Sequence, residues 1–291
     1  MRPPIAFTGM TLETPRLDDT AAFYIDHFGL APQARDADEV RLATLAAPVP
    51  PLTLRRGPAP RLAALAYAYG DAALLAAARS DADAQGLLPV DHGDGFAVRS
   101  PDGMLVSFAL GVDASAGPLP AATDRPLFMS HVVVNSREPE RLVSFFRDRL
   151  GFRVSDAYEK GLLTFLKCDQ PQHHCLGVAP AETDGLNHFA MDCGGIDALM
   201  RGLARMKALG HEPVWGPGRH GPGGNVFCYF EDPSGFVPEY TCDVLQIADD
   251  NDWRPGEWKR IPENGNVWLT GGPTPRALHL MSGAAISEPA L

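Results

Sequence analysis

A chain of 291 residues with 25 basic and 36 acidic side chains carries a formal net charge of −11, so nucleic acids and anionic membrane surfaces are poor candidate partners. The composition, 45% hydrophobic and 21% charged, is typical of a globular protein, and the length allows two domains or one large one. Residues 1–10 are too short and too interrupted by proline for a signal peptide, and the Ala-rich residues 62–78 are broken by Gly70 and Asp71. We therefore expect no membrane span and a cytoplasmic location.

The five cysteines all lie in the second half of the chain. Their number is odd, and no two have the spacing of a CxxC pair. This usage predicts reduced thiols packed in the core of a cytosolic protein.

The first half of the chain alternates between strand and helix patterns, with apolar periods of about two and about 3.6 residues. The helix predicted over residues 17–28 has Asp18 and Asp19 in its first turn and ends at Gly29, which tolerates a positive φ. The predicted elements are a strand at 5–12, that helix, strands at 39–46, 51–56 and 65–69, a helix at 71–85, and strands at 95–99 and 104–109.

The second half repeats this order. Its predicted elements are a strand at 128–135, a helix at 139–150, strands at 161–167, 173–178 and 187–192, a helix at 196–209, and a hairpin across 225–244. HFGL at 27–30 matches RLGF at 149–152, and SPDGMLVSF at 100–108 matches DPSGFVPEY at 232–240. Repetition on this scale predicts an α+β fold of tandem βαβββ modules, two to each copy of a duplicated domain.

The predicted domain boundaries follow from this repeat. Residues 1–112 form an N-terminal domain, residues 113–125 a small, polar, proline-bearing linker, and residues 126–245 a C-terminal domain. Residues 246–291 form a tail for which we predict little regular structure. The tail either folds over a cavity as a lid or forms a surface or subunit-contact segment.

Three ligand-type residues occur in three different predicted strands of the second copy: His131, His188 and Glu239. Two imidazoles and one carboxylate are the ligand set of non-haem Fe(II) sites, which keep positions open for substrate and O2. The same ligands accept Mn(II). Any one of these histidines alone is more often a hydrogen-bonded core or surface residue.

The first copy serves as an internal control for these ligands. By the two alignments above, Gly9 takes the place of His131 and Ser107 that of Glu239, while residues 63–64 match His188. The fold is therefore used twice and the ligand set once, a pattern that packing alone does not explain.

The hairpin of the second copy brings further polar groups towards Glu239. Two extended runs, 225–231 and 236–244, flank a tight turn at 232–235, and this arrangement can aim Tyr229 and Glu239 into one cavity. His220 lies on the glycine-rich loop before the hairpin, at the mouth of that cavity. Alternatively, Tyr229 is a simple core residue and His220 is exposed to solvent.

The second copy resembles the catalytic domain of the type I extradiol ring-cleavage dioxygenases of the vicinal oxygen chelate superfamily. The motifs that carry the resemblance are SHVVV at 130–134, HHCLGVAP at 173–180, LNHFAMD at 186–192 and GPGRHGPGGNVFCYFEDPSGFVPEY at 216–240. The resemblance implies two vicinal-oxygen-chelate domains, each with a curved mixed or antiparallel sheet around a cavity, the first of them degenerate and free of metal.

The resemblance also implies residue roles and partners. It assigns Fe(II) to His131, His188 and Glu239, an acid/base role to His174, and a place beside the substrate to His220 and Tyr229. The implied reaction opens a catechol ring next to its diol with O2, and we expect a homo-oligomer. In a strand, His173 would point away from His174 and be a structural or surface residue; a register one residue off would exchange the two roles.

Two other functions fit the same scaffold. A glyoxalase-type isomerase or a thiol transferase, by resemblance, usually takes ligands from both copies or from a paired chain. A non-enzymatic binding module needs a cavity but no metal ligands. The isomerase and the transferase consume no O2, so an oxygen electrode separates them from a dioxygenase, and metal analysis separates the binding module.

The substrate's ring substituent is only weakly indicated by the sequence. Val133 and Ala190 should face the cavity because each lies two residues after a ligand in a strand. With Trp215 as a further wall, they favour an uncharged or aromatic substituent. Basic residues of a closed lid would instead favour an anionic one; these are Arg254, Lys259 and Arg260.

Overall fold

Two sheets built in the same order form the fold. A computed structural model describes residues 1–47, 49–113, 123–247 and 252–282. The elements of the first sheet and its helices are β1 (Ala6–Thr14), α1 (Leu17–Ala22), β2 (Ala31–Arg35), β3 (Glu39–Ala43), β4 (Leu52–Arg56), β5 (Arg61–Tyr69), α2 (Ala72–Ala84), β6 (Val90–His92), β7 (Gly95–Arg99) and β8 (Leu105–Leu110).

The second sheet repeats this pattern of strands and helices. Its elements are β9 (Phe128–Ser136), α3 (Pro139–Ser144), β10 (Arg153–Tyr158), β11 (Leu163–Lys167), β12 (Leu176–Pro180), β13 (Gly185–Asp192), α4 (Ile196–Ala208), β14 (Trp215–Arg219), β15 (Val226–Tyr229) and β16 (Pro238–Cys242). A 3-10 turn, Glu159–Gly161, joins β10 to β11.

The strand orders of the two sheets correspond position by position. The first sheet runs β2-β3-β4-β1-β5-β8-β7-β6, and eight of the nine strands of the second, read in the opposite direction, run β10-β11-β12-β9-β13-β16-β15-β14. Each sheet joins two βαβββ halves through a central antiparallel pair, β1 with β5 and β9 with β13. Parallel pairs flank that centre, so the sheets are mixed rather than simple meanders. The predicted α+β fold of tandem modules is confirmed.

Several element boundaries differ from the predicted ones. The sequence pattern missed β2, β6, β10 and β14; the residues of β2 and β6 are exposed, and β14 is rich in glycine and proline, so apolar alternation is weak there. The strand predicted at 173–178 begins only at Leu176. Of the predicted linker, residues 114–122 lie outside the described part of the chain.

The first and third helices change their winding halfway. α1 and α3 continue as π-helical segments, Phe23–Phe28 and Phe145–Arg149, where single α-helices were predicted. In the first of these Gly29, at φ +99°, donates its N–H to the carbonyl of Tyr24 five residues earlier, which closes the wider turn. Among the described residues, no helix is long and apolar enough to cross a membrane.

From here on, the copy that forms the first sheet is the first module, and the copy that forms the second sheet is the second module. The second module is the more deeply buried of the two at its centre. All nine residues of β9 are buried, as expected for a strand covered on both faces. The five cysteines are buried and free, which confirms the prediction of core thiols. Polar contacts join the modules: Tyr24 donates to the Asp232 carboxylate at 2.8 Å, and Arg205 donates to the carbonyls of His27 and Phe28.

The prediction of little regular structure in the tail is wrong for its described part. The tail contains β17 (Gly256–Trp258), which extends the second sheet in parallel beside β10, α5 (Pro262–Gly265) and α6 (Pro275–Met281). Prolines occupy the first turn of both helices, where their missing N–H costs nothing. The Thr274 side chain caps α6 by accepting from the Ala277 N–H. Residues 248–251 and 283–291 lie outside the described chain.

Candidate active site

The register of three neighbouring strands brings the predicted metal ligands together. Ala190 on β13 pairs with His131 on β9 and with Glu239 on β16. His188 lies two residues before Ala190, on the same strand. The Oε2 atom of Glu239 lies 3.4 Å from the Nε2 atoms of both His131 and His188. One ligand atom from each of the three residues falls within 4.8 Å of the others.

Hydrogen bonds behind the two histidines fix which ring nitrogen carries the proton. Ser130 Oγ donates to the Gln172 amide oxygen, so it accepts from His131 Nδ1, 3.1 Å away. His188 Nδ1 lies 2.7 Å from the Asn187 amide oxygen. That amide is oriented by its NH2 group, which donates to the carbonyl of Met281. Both imidazoles therefore turn their Nε2 atoms towards Glu239.

The Glu239 carboxylate completes a site suited to a cation. It is fully buried, and its Oε2 atom accepts no hydrogen bond. Burial alone would raise the pKa of Glu239, but the imidazoles of His131, His188 and His220 lower it overall. Burial also lowers the pKa of His188 to about 3, despite the nearby carboxylate. Three buried ligand atoms that converge in this way fit a divalent metal ion, as in two-His, one-carboxylate sites.

The equivalent row of the first module carries no such ligands. There Ala66 on β5 pairs with Gly9 and with Ser107, and Ala64 stands where the second module has His188. A side chain at Gly9 would meet the Pro51 carbonyl oxygen at 2.4 Å. The first module therefore has neither the ligands nor the space for this site, as the alignment of the two copies predicted.

His173 and His174 lie just before β12 rather than in it, so the prediction that strand alternation separates them is wrong. Their Nδ1 atoms are 3.0 Å apart, and both side chains are buried. The His174 ring lies 4.5 Å from the ring of His131, centroid to centroid. Burial, followed by the neighbouring imidazoles, lowers the pKa of His174 well below its usual range. His173 is not a surface residue.

His220 and Tyr229 form a hydrogen-bonded pair beside the ligands. His220 Nδ1 lies 2.8 Å from the carbonyl oxygen of Gly265 in the tail, so that nitrogen carries the proton. His220 Nε2 then accepts from the Tyr229 hydroxyl at 3.0 Å. Burial raises the pKa of Tyr229, so the phenol keeps its proton. The ring of Tyr229 lies 5.1 Å from that of His188, and the pair therefore borders the ligand cluster.

Apolar residues share the face of the sheet that carries the ligands. Val133 pairs with His188 across the strands, and Ala190 lies between His131 and Glu239; both are buried. Trp215 stacks on Tyr229 with ring centroids 5.2 Å apart. The basic residues of the tail are exposed; these are Arg254, Lys259 and Arg260.

The residues that orient the histidines from behind were missed by sequence reasoning. Ser130 and Asn187 are sequence neighbours of the ligands they support, and adjacency to a candidate ligand could have suggested them. The other orienting groups come from other parts of the chain, so no local pattern reveals them. They are Gln172, Asp156 and the carbonyl groups of the tail.

Comparison with known proteins agrees with this architecture. Residues 129–240 match the family model of the Glyoxalase/Bleomycin resistance protein/Dioxygenase superfamily. The solved structure of a Mn(II)-bound glyoxalase from Novosphingobium aromaticivorans is 30% identical in sequence. The match covers 95% of this chain and 94% of the glyoxalase chain, with a TM-score of 0.83. The chain belongs to this superfamily.

Within the superfamily, the sequence relatives include extradiol dioxygenases. Metapyrocatechase 2 of Cupriavidus necator is 31% identical over 133 residues, 46% of this chain and 42% of that protein. The match therefore spans less than half of this curated relative. An extradiol ring-cleaving dioxygenase from B. fuscum shares the fold at 19% sequence identity. That match has a TM-score of 0.80 and covers 95% of this chain and 82% of the dioxygenase chain.

Proposed function

We propose that this protein is an extradiol dioxygenase that opens a catechol ring with O2 at a divalent metal, Fe(II) in preference to Mn(II). One observation carries the proposal: among the described residues, three buried ligand atoms converge in the second module beside a further buried histidine, His174. The sequence match to metapyrocatechase 2 supports the same reaction class.

His131, His188 and Glu239 would hold the metal, with Ser130 and Asn187 orienting the two imidazoles. A bound dication supplies Lewis acidity, which makes the hydroxyl groups of a catechol more acidic, and open positions at which the diol and O2 meet. The buried, desolvated surroundings of Glu239 strengthen these electrostatic interactions.

His174 is the proposed acid/base residue. Because burial keeps its imidazole neutral, it can take a proton from a catechol hydroxyl. Both oxygen atoms of O2 enter the ring-opened product, one of them in a new carboxyl group that releases a proton at neutral pH. His174 can therefore return the proton that it takes to the reacting molecule, while one proton passes to solvent for each ring opened.

His220 and Tyr229 are the proposed groups that bind an oxygen of the substrate or product. The Tyr229 hydroxyl keeps its proton and is already oriented by His220, so it is a pre-organised donor. The apolar surroundings of Val133, Ala190 and Trp215 favour a catechol with an uncharged or aromatic substituent.

Oxygen uptake tests the proposal against a glyoxalase-type isomerisation, which a specific observation favours as the second candidate: a solved structure that is 30% identical over nearly the whole chain is a Mn(II)-bound glyoxalase. An isomerase rearranges its substrate without O2. A dioxygenase consumes O2 in proportion to the catechol lost. The predicted homo-oligomer, cytoplasmic location and absence of nucleic-acid binding remain predictions.

A further inference from the structure

A buried chain of polar contacts leads from the tail to His174. The Asp156 carboxylate accepts from the Gly256 N–H at 2.6 Å and from the Trp258 indole N–H at 2.7 Å. Its Oδ2 atom also lies 3.1 Å from Nε2 of His173. His173 in turn contacts His174 through their Nδ1 atoms, 3.0 Å apart. His173 is fully buried and Asp156 nearly so, so water does not compete for these contacts.

The donors around Asp156 determine where the protons lie along this chain. Burial opposes ionisation of Asp156, but contacts with His173, Gly256 and Trp258 lower its pKa overall. An ionised carboxylate only accepts hydrogen bonds. The ionised carboxylate therefore favours a proton on the His173 nitrogen that faces it, Nε2, 3.1 Å away. The Nδ1 atom of a neutral His173 is then an acceptor, and the proton in the contact with His174 belongs to His174.

We propose that Asp156 and His173 form a positioning pair that holds His174 as its Nδ1–H tautomer and so leaves the lone pair on Nε2. This inference rests on the proposed function for its meaning, because it identifies the atom of His174 that takes the catechol proton. In serine proteases a buried Asp likewise sets the tautomer of an imidazole, there by direct contact with the catalytic His.

Backbone hydrogen bonds hold in place the segment that carries the two imidazoles. The His173 N–H donates to the Leu245 carbonyl at 2.7 Å, and the Leu245 N–H donates to the Gly223 carbonyl at 2.8 Å. Gly223 has φ +72°, and a Cβ atom there would lie 3.2 Å from the Nδ1 atoms of both His173 and His174. Only glycine lets the chain pass this close to the contact between the imidazoles. The Trp253 ring covers His173 at a centroid distance of 5.5 Å.

The tautomer of His174 can be read directly by NMR. Long-range 15N–1H correlation spectra of the 15N-histidine-labelled full chain, loaded with diamagnetic Zn(II) near pH 8, distinguish Nδ1–H from Nε2–H imidazoles; the His174→Asn variant assigns the His174 signals. We expect a neutral His174 with its proton on Nδ1. A His174 protonated on Nε2, beside a doubly protonated His173, would overturn the proposal. The spectra need no turnover, so they decide the question even if no catechol is cleaved and the proposed function fails.

Variants test whether the pair acts on His174. We expect His173→Leu to give a mixture of His174 tautomers and to lower kcat by about tenfold or more, with KM and metal content unchanged. We expect His173→Gln to recover most of the loss, because its amide can both donate to Asp156 and accept from His174.

The role of the tail in these effects needs its own control. Asp156→Ala removes the partner of His173 and also frees two contacts with the tail, whereas Tyr158→Phe frees only the tail contact with the Asn264 carbonyl and leaves the pair and its donors intact. We expect the tautomer and kcat to change in Asp156→Ala and not in Tyr158→Phe. Equal losses in these two variants, or an unchanged tautomer in His173→Leu, would show that Asp156 and His173 are only structural.

Discussion

His131 and Glu239 lie on strands that do not pair with each other, yet the Nε2 of His131 is 3.4 Å from the Oε2 of Glu239. The small residue between them, Ala190, pairs with both. The ligand cluster is therefore a row across the centre of the sheet. Strands, unlike loops, hold such a row rigidly, which suits a metal site that must keep positions open for substrate.

The first prediction concerns the carboxylate ligand. Glu239→Gln replaces the only acidic member of the ligand cluster by a neutral amide, so we expect loss of most of the bound metal and of oxygen uptake. Metal content after dialysis and oxygen consumption measure the two effects.

The matched control for that variant is Ser107→Ala in the first module. Ser107 occupies the position that corresponds to Glu239, and its hydroxyl bonds only to the Leu65 carbonyl among the described contacts. Metal content and activity should both stay at the parent level. A loss of metal in Ser107→Ala comparable to that in Glu239→Gln would contradict a single site in the second module.

The second prediction concerns the hydroxyl of Tyr229. Tyr229→Phe removes the donor that His220 orients, so we expect kcat to fall roughly 100-fold while metal content stays the same. Steady-state kinetics with the best catechol and metal analysis measure this split. Tyr240→Phe is the matched control, because its hydroxyl faces away to Arg205 and Phe28 at the module contact. An equal fall in kcat for both variants would assign Tyr229 to packing.

The third prediction concerns the last helix of the tail, α6. Leu280 is fully buried with Phe227, Tyr229 and Val237, so Leu280→Ala should lower the free energy of unfolding by about 2–5 kcal/mol. Leu278 on the same helix is 54% exposed. Leu278→Ala should therefore change the free energy of unfolding by less than about 0.5 kcal/mol. Urea unfolding measures both. Similar values for the two variants would mean that α6 does not pack on the second module as described.

The fourth prediction concerns pH. Burial raises the pKa of Asp232 from its ordinary value of 3.8 to about 7, so between these values the folded protein binds a proton that the unfolded chain has lost. The contribution of Asp232 to stability therefore falls as pH rises through this window. Relative to the parent, Asp232→Asn should be more stable at about pH 8 than at about pH 5. Urea unfolding at the two pH values checks this, and a difference that does not change with pH would refute it.

The sequence predicted the duplicated modules and the ligand cluster because both depend on local patterns. The period of the apolar residues and the turn residues identify each strand, and the internal repeat aligned Gly9 with His131 before any register was known. The structure brings together all six predicted site residues, which are His131, His174, His188, His220, Tyr229 and Glu239.

The contacts behind those residues were not predictable, because they join segments that are far apart in the chain. Asp156 approaches His173 only after β10 folds back beside β11, and Gly265 reaches His220 only when the tail has folded against β10. The two histidines at 173 and 174 are also outside a strand, so the alternation rule could not say which of them faces the ligands.

Oxygen consumption by the metal-loaded protein tests the proposed function most directly. Protein reconstituted with Fe(II) without air is mixed with O2 and a panel of catechols, including ones with apolar and with carboxylated substituents, and O2 and catechol are followed together. We predict that one O2 disappears for each catechol, that a ring-opened product forms, and that Glu239→Gln abolishes both. A protein that retains its metal but consumes no O2 with any catechol would contradict the proposed function.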